Sequence, residues 1–211
     1  MADTKTIECF TVGHIGTNCY LLLDEETKEA FLVDPGDEAE YLISELNRRE
    51  VRLRAVLLTH GHFDHVLAVS AVKEAYPGAE VLMGERERPM AENEDLNSGF
   101  PGQHCSYAVD RYLAGGEEIS LAGVTLRVLE TPGHTAGSVC YYAEELGVLF
   151  AGDTLFYHSY GRYDLPTGSV RDLRESLTTL LTTLPEEVQV LPGHGRTTTI
   201  KEERIIEGFA R

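Results

Sequence analysis

Alternating strand-like and helix-like segments place this chain of 211 residues in the α/β class. Three features carry that reading. Short β-branched and aliphatic runs recur along the chain, and each is stopped by a turn residue. Between several of them lie longer stretches whose apolar residues fall at helical spacing. Hydrophobic types make up 42% of the chain and charged types 25%, a balance that supports a packed core rather than disorder. No low-complexity linker interrupts the pattern, so residues 1–211 read as a single domain.

The first strands are Ile7–Val12, Cys19–Leu23 and Ala30–Val33. Ala39, Leu42, Ile43 and Leu46 then fall at helical spacing, and the preceding Asp34-Pro35-Gly36-Asp37 supplies a turn and a candidate cap. A compact strand at Ala55–Leu58 runs straight into a histidine-rich loop, followed by a helix over Val66–Tyr76 that Pro77-Gly78 stops. Val81–Met83 is the next strand. Glu85 to Val109 is polar and irregular and reads as an excursion over the surface, with residues 93–109 a loop open to a lid or partner role.

Strand patterns return at Ile119–Leu121, Val124–Leu129, Ser138–Ala143 and Val148–Ala151. Ser169 with Asp172 resembles a capping box ahead of a helix face made of Val170, Leu173, Leu177, Leu180, Leu181 and Leu184. Val188–Leu191 is a last strand. Thr199 with Glu202 opens a terminal helix carrying Ile205, Ile206 and Phe209. Thr131-Pro132-Gly133-His134 and Leu191-Pro192-Gly193-His194 repeat one tripeptide at two strand ends, which suggests either two similar halves or a recurrent tight turn.

Eighteen Lys and Arg against 35 Asp and Glu leave a net charge of −17, a sign that repels nucleic acid and anionic lipid. No apolar stretch approaches the ~20 residues that span a bilayer, and Met1 to Thr6 lacks the order of a signal peptide. A cytoplasmic protein without nucleic-acid or membrane partners is expected. Cys9, Cys19, Cys105 and Cys140 are scattered and read as free thiols of a reducing compartment. Nothing in the sequence specifies an oligomeric state.

The chemistry concentrates in Thr59-His60-Gly61-His62-Phe63-Asp64-His65. His60 and His62 are two apart after a strand, and extended backbone points alternate side chains the same way, so both imidazoles can meet one ion. Asp64 and His65 follow on the turn into a helix, displaced toward a neighbouring ion. His134, His194 and Asp153 also stand where strands end, which lets distant segments meet at one rim. Singly, each has an ordinary explanation: a loop histidine, a helix cap, a turn residue. Together they point to metal. His14, His104 and His158 are read as ordinary histidines, and Arg162 with Asp164 as either a rim-ordering pair or a surface ion pair.

The seven-residue motif resembles the signature of the metallo-β-lactamase superfamily, and the resemblance extends from about Val12 to about Gly195. Gly152-Asp153-Thr154-Leu155-Phe156 and Gly161-Arg162-Tyr163-Asp164 are similar to short glyoxalase II-like, or hydroxyacylglutathione hydrolase-like, enzymes. The resemblance implies a four-layer αββα sandwich. It implies that His60, His62 and His134 hold one ion, that Asp64, His65 and His194 hold a second, and that Asp153 bridges them. Imidazole with carboxylate suits zinc, iron or manganese, with zinc the first choice.

Such a site activates water at neutral pH, so the expected reaction is hydrolysis of a thioester by a hydroxide bridging the ions, with Asp64 and Asp153 orienting it. A small acyl-thioester is the expected substrate, with Tyr157, Tyr160, Arg162 and Tyr163 candidates to line its pocket. The resemblance gives glyoxalase II a C-terminal helical extension that binds glutathione, whereas Arg196 to Arg211 follow the last expected ligand in this sequence. The alternative is an enzyme similar to persulfide dioxygenases, which use one iron. A metal-bearing structural or partner-binding module is the non-enzymatic reading. β-Lactam cleavage is disfavoured on the resemblance, since that class usually places a cysteine in the second metal site.

Overall fold

The computed structural model describes residues 4–97 and 105–204. Two six-stranded sheets stack face to face between helices, which is the αββα sandwich. The first holds β1 (Lys5–Val12), β2 (Thr17–Asp24), β3 (Glu29–Val33), β4 (Arg52–Leu58), β5 (Glu80–Gly84) and β6 (Arg111–Leu113) in that order. Its strands run antiparallel from β1 to β3 and parallel from β3 to β6. The second begins with β7 (Glu118–Leu121), β8 (Val124–Glu130), β9 (Val139–Ala143) and β10 (Val148–Gly152). A two-stranded hairpin, β11 (Leu155–Phe156) with β12 (Ser159–Tyr160), leaves the sheet before β13 (Gln189–Pro192) and β14 (Thr198–Thr199) complete it.

Alternation sorts the side chains. In β2, which is buried throughout, Tyr20 and Leu22 enter the core between the sheets, while Cys19, Leu21 and Leu23 face the helices. Phe31, Leu57, Tyr141 and Phe150 fill that central layer. Helices α1 (Ala39–Arg48), α2 (Phe63–Val66) and α3 (Val69–Ala75) cover the first sheet through Leu42, Leu46, Val66, Val69 and Val72. Two short helices, α4 (Arg88–Glu92) and α5 (Glu94–Asn97), follow β5. On the far side α6 (Val170–Thr183) lays Leu173, Leu177 and Leu180 on Leu149, Ala151 and Val190, and α7 (Ile200–Glu203) adds Ile200. No described helix is long and apolar enough to cross a membrane.

Several expectations need correction. Asp37 does not cap α1. Glu38 occupies that position with a left-handed φ of 52° and no side-chain cap, and Asp37 Oδ1 accepts from its amide instead. The helix expected over Val66–Tyr76 starts earlier and is broken in two, because the Ala68 amide donates to the Pro35 carbonyl (3.1 Å) rather than continuing the helical ladder. The described parts of Glu85–Val109 are not a purely surface excursion, since Glu87, Met90, Asn97 and Tyr107 are buried, and residues 98–104 of that stretch lie outside the described residues. Val170 is half exposed rather than part of the apolar face. The repeated Pro-Gly-His turns both end strands of the second sheet, so they do not mark one half each. The strands β6, β11, β12 and β14 are too short for periodicity to reveal them, and Ile205, Ile206 and Phe209 lie outside the described residues.

Ser169 caps α6 as expected, its hydroxyl accepting from the Asp172 amide, and Thr199 caps α7 on Glu202 in the same way. Ser169→Ala should lower stability by about 1 kcal/mol, read as an earlier urea midpoint with an unchanged slope. A midpoint equal to wild type would show that the cap contributes nothing.

The sheets are joined at one rim. Tyr141 of β9 donates to the Leu58 carbonyl at the end of β4 (2.7 Å), and the Val139 amide donates to the Thr59 carbonyl (2.9 Å). Opposite, Asn18 and Tyr20 of β2 hold the Pro192-Gly193 turn through bonds of 2.7 to 3.0 Å. These ties bring the ends of β4, β8, β10 and β13 together.

Candidate metal centre

His60 and His62 leave β4 on extended backbone, with His62 at the N-cap of α2 at φ −66° and ψ 145°. Asp64 and His65 lie on the first turn of that helix. His134 follows the turn after β8, where α6 presses so close that a Cβ on Gly133 would meet the Leu173 amide at 2.2 Å. Asp153 follows β10, and His194 follows β13. Gly193 must remain glycine, because a Cβ there would stand 2.2 Å from Asp153 Oδ1 and 2.7 Å from His65 Cε1.

All seven side chains predicted to act on metal converge. His134 Nε2 lies 2.8 Å from His62 Nδ1 and 3.2 Å from His60 Nε2. His194 Nε2 lies 3.4 Å from His65 Nε2 and 3.3 Å from Asp64 Oδ2. Asp153 reaches both groups, at 3.3 Å from His65, 3.5 Å from His194 and 3.6 Å from His134. A tetrahedron with bonds of ~2.0–2.1 Å has edges of ~3.3–3.4 Å, so most of these spacings suit atoms that face a common cation. His60, His62 and His134 form one mutually close set, and Asp64, His65 and His194 another. The four buried imidazoles, His60, His62, His65 and His134, are 3% exposed or less, and Asp153 Oδ1 is buried with no hydrogen bond. Buried groups of this kind need a partner, and a divalent ion would supply one.

A second layer, not anticipated from the sequence, aims the ligating atoms. Asp34, buried at the end of β3, accepts from the Thr59 amide (2.8 Å), the Thr59 hydroxyl (2.6 Å) and His65 Nδ1 (3.0 Å). Because the Thr59 hydroxyl donates to Asp34, its oxygen is left to accept from His60 Nδ1 at 3.0 Å. One carboxylate therefore sets the tautomer of a histidine in each group, turning both Nε2 lone pairs inward. His134 Nδ1 donates to the Arg162 carbonyl (2.7 Å) with the same result, and Thr17 Oγ1 donates to Asp64 (3.2 Å). The signal that could have revealed Asp34 is its place at a strand end, like Asp153; its φ of 51° is rare for a residue with a Cβ.

The two groups are electrically distinct. Burial holds His60 and His134 below the usual imidazole range and His62 at about 3, with neighbouring imidazoles adding to the effect at His60 and His62. Burial also works against charge on His65 and His194, yet Asp153 and Asp64 outweigh it, raising His65 and bringing His194 to about 9. The two carboxylates follow suit: despite burial, His65 and His194 hold Asp64 at about 2 and Asp153 well below its ordinary value.

Beside the cluster opens a cleft of about 510 Å³ lined by Ile15, Phe63, Phe156, Tyr160, Arg162 and Leu165 together with the site residues. Arg162 and Tyr160 thus stand where a substrate would pass. Tyr157 and Tyr163 do not line the cleft: Tyr157 lies under the Arg196 guanidinium at 3.4 Å, and Tyr163 is exposed to solvent. The Arg162–Asp164 pair is an exposed fork of 2.8 and 2.9 Å bonds, and its loop reaches the site through the Arg162 carbonyl. His14 is exposed, His158 sits in the β11–β12 turn, and neither joins the cluster; His104 lies outside the described residues.

A family model described as Metallo-beta-lactamase superfamily matches residues 12–194. The hydroxyacylglutathione hydrolase GloC of Haemophilus influenzae is 36% identical over 204 residues, covering 94% of each chain. Among solved structures, the BLEG-1 B3 metallo-beta-lactamase superposes with a TM-score of 0.90 at 38% identity, over 97% of this chain and 99% of that one. A di-iron-bound form of TTHA1623 gives 0.84 at 38% identity, over 96% and 99%.

Proposed function

The chain belongs to the metallo-beta-lactamase superfamily, a fold of metal-dependent hydrolases, and on that premise we propose that it hydrolyses a small acyl thioester of the acyl-glutathione type. The observation that carries this reading is that both sets of ligating atoms are complete and share Asp153 at the mouth of an open cleft. His60, His62 and His134 with Asp64, His65, His194 and Asp153 would hold divalent ions, which would supply a water of pKa about 7 and a polarised carbonyl.

The chain's own residues do the remaining work. Asp64 and Asp153 stay ionised throughout the working range and accept the hydrogen bonds that orient a water at the cleft floor. Asp34 and the Arg162 carbonyl keep the protons of His60, His65 and His134 on the outer nitrogens. Phe63, Phe156 and Leu165 form an apolar wall of the cleft. A thiol, with a pKa of about 8.5, departs as thiolate without a strong general acid. That suits a cleft in which Arg162 is already paired with Asp164. The likeness to GloC supports acyl-glutathione, and the likeness to BLEG-1 favours a β-lactam as the second reading.

Protein purified without added metal should contain two divalent ions by elemental analysis, zinc foremost, and should hydrolyse S-D-lactoylglutathione faster than nitrocefin. One iron with oxygen uptake on glutathione persulfide would replace this reading with a dioxygenase, and metal without any of these activities would leave a binding module.

Metal affinity should depend on pH differently at the two groups. In the metal-free protein His65 and His194 hold protons near neutrality, and a cation must displace them, so protons compete with metal there. Affinity at Asp64, His65 and His194 should rise from pH 7 up to about 9, where His194 loses its proton, by about tenfold per unit for each proton released. His60, His62 and His134 are already neutral, so their affinity should stay nearly level. Chelator competition near neutrality and about two units above it measures both, and a level second affinity would contradict the assignment.

A further inference from the structure

The carboxylate of Glu87 is 1% exposed and lies in the turn after β5, outside the site as drawn so far. Its Oε1 accepts from the Gly61 amide at 2.9 Å, the peptide between His60 and His62. Its Oε2 accepts from the Thr135 hydroxyl at 2.9 Å, on the residue next to His134. Thr135 and Ser138 share a 2.6 Å hydroxyl contact, and Ser138 Oγ accepts from the Thr135 amide at 3.2 Å, so the loop after His134 is tied to the same carboxylate. The packing leaves no slack: a Cβ on Gly61 would meet Met90 Cβ at 2.7 Å and Tyr107 Oη at 2.8 Å, and one on Gly137 would meet the Glu87 amide at 2.2 Å.

From this geometry we infer that Glu87 is a positioning residue that clamps the two loops carrying His60, His62 and His134 into one three-histidine metal site. The inference rests on the metal reading above. The clamp is selective, because neither bond reaches Asp64, His65 or His194. It acts through backbone and hydroxyl rather than by touching metal or substrate. Burial lifts the Glu87 carboxyl to about 7, while the hydrogen bonds from Gly61 and Thr135 work the other way. The clamp also gives a role to Met90 and Tyr107, which back the Gly61 peptide.

The test uses the full chain carrying His194→Ala, which leaves only the three-histidine group complete, and titrates zinc into the metal-free protein by chelator competition. Adding Glu87→Gln, which retains one acceptor oxygen of two, should weaken zinc by about tenfold, and Glu87→Ala by up to about a hundredfold, the range for lost support of metal ligands. Thr135→Val cuts the other end of the clamp without touching Glu87 and should weaken zinc in the same direction. Glu87→Gln should leave the metal-free melting temperature at or above that of the parent while shrinking the rise that zinc produces. Unchanged zinc affinity in both Glu87→Gln and Thr135→Val, or a fall in melting temperature equal with and without zinc, would overturn the clamp. A parent protein that binds no zinc would instead overturn the metal reading itself.

Discussion

Asp153→Ala is expected to cut turnover by at least about a thousandfold, the scale of removing one preorganised electrostatic group from an active site, and to lower bound metal from two ions toward one. Asp153 approaches His65, His134 and His194 within 3.6 Å, so it is the side chain common to both groups. Its loss takes from His65 and His194 one of the two carboxylates, the other being Asp64, that together outweigh their burial. Asp153→Asn keeps the volume and loses the charge, so it should retain the fold and share the kinetic defect. Elemental analysis with lactoylglutathione kinetics reads both effects. Full activity with full metal in either variant would remove Asp153 from the centre.

Asp34→Ala should be nearly as severe by another route. The carboxylate accepts three hydrogen bonds in a fully buried position, and each donor left without a partner costs about 1–3 kcal/mol. A destabilisation of about 3 kcal/mol or more is expected in urea unfolding of the metal-free protein. Metal affinity should fall about 10–100-fold, at both groups, because Asp34 orients His60 through Thr59 as well as His65 directly. Asp34→Asn fills the space but can present an amide to His65, and it should recover stability better than metal affinity. A loss confined to one group would show that the relay through Thr59 does not operate.

The strands, the main helices and the seven converging side chains were legible in the sequence for separate reasons, while the four-layer stacking of the fold followed from the resemblance to the family. Strands such as Thr17–Asp24 and Val148–Gly152 are buried at every position, so they show as compact apolar runs. The site residues share an address, since His60, His134, Asp153 and His194 each follow a strand end. What escaped was set by single contacts. Asp34 looked like part of an Asp-Pro-Gly-Asp turn, and only the folded chain shows Thr59 and His65 against it. Glu87 lies in Glu85-Arg86-Glu87-Arg88, a run with every appearance of a solvated face, and burial of one carboxylate in four charges leaves no periodic trace. Tyr157 and Tyr163 were drawn toward the substrate by proximity in sequence, but the β11–β12 hairpin turns Phe156 and Tyr160 to the cleft and places Tyr157 under Arg196.

Anomalous diffraction from crystals grown with zinc is the most direct trial of the paired centre. It should show two peaks, one within bonding distance of His60, His62 and His134 and the other of Asp64, His65 and His194, with Asp153 contacting both. A single peak at one group, a peak elsewhere on the surface, or ordered side chains around no peak at all would contradict it.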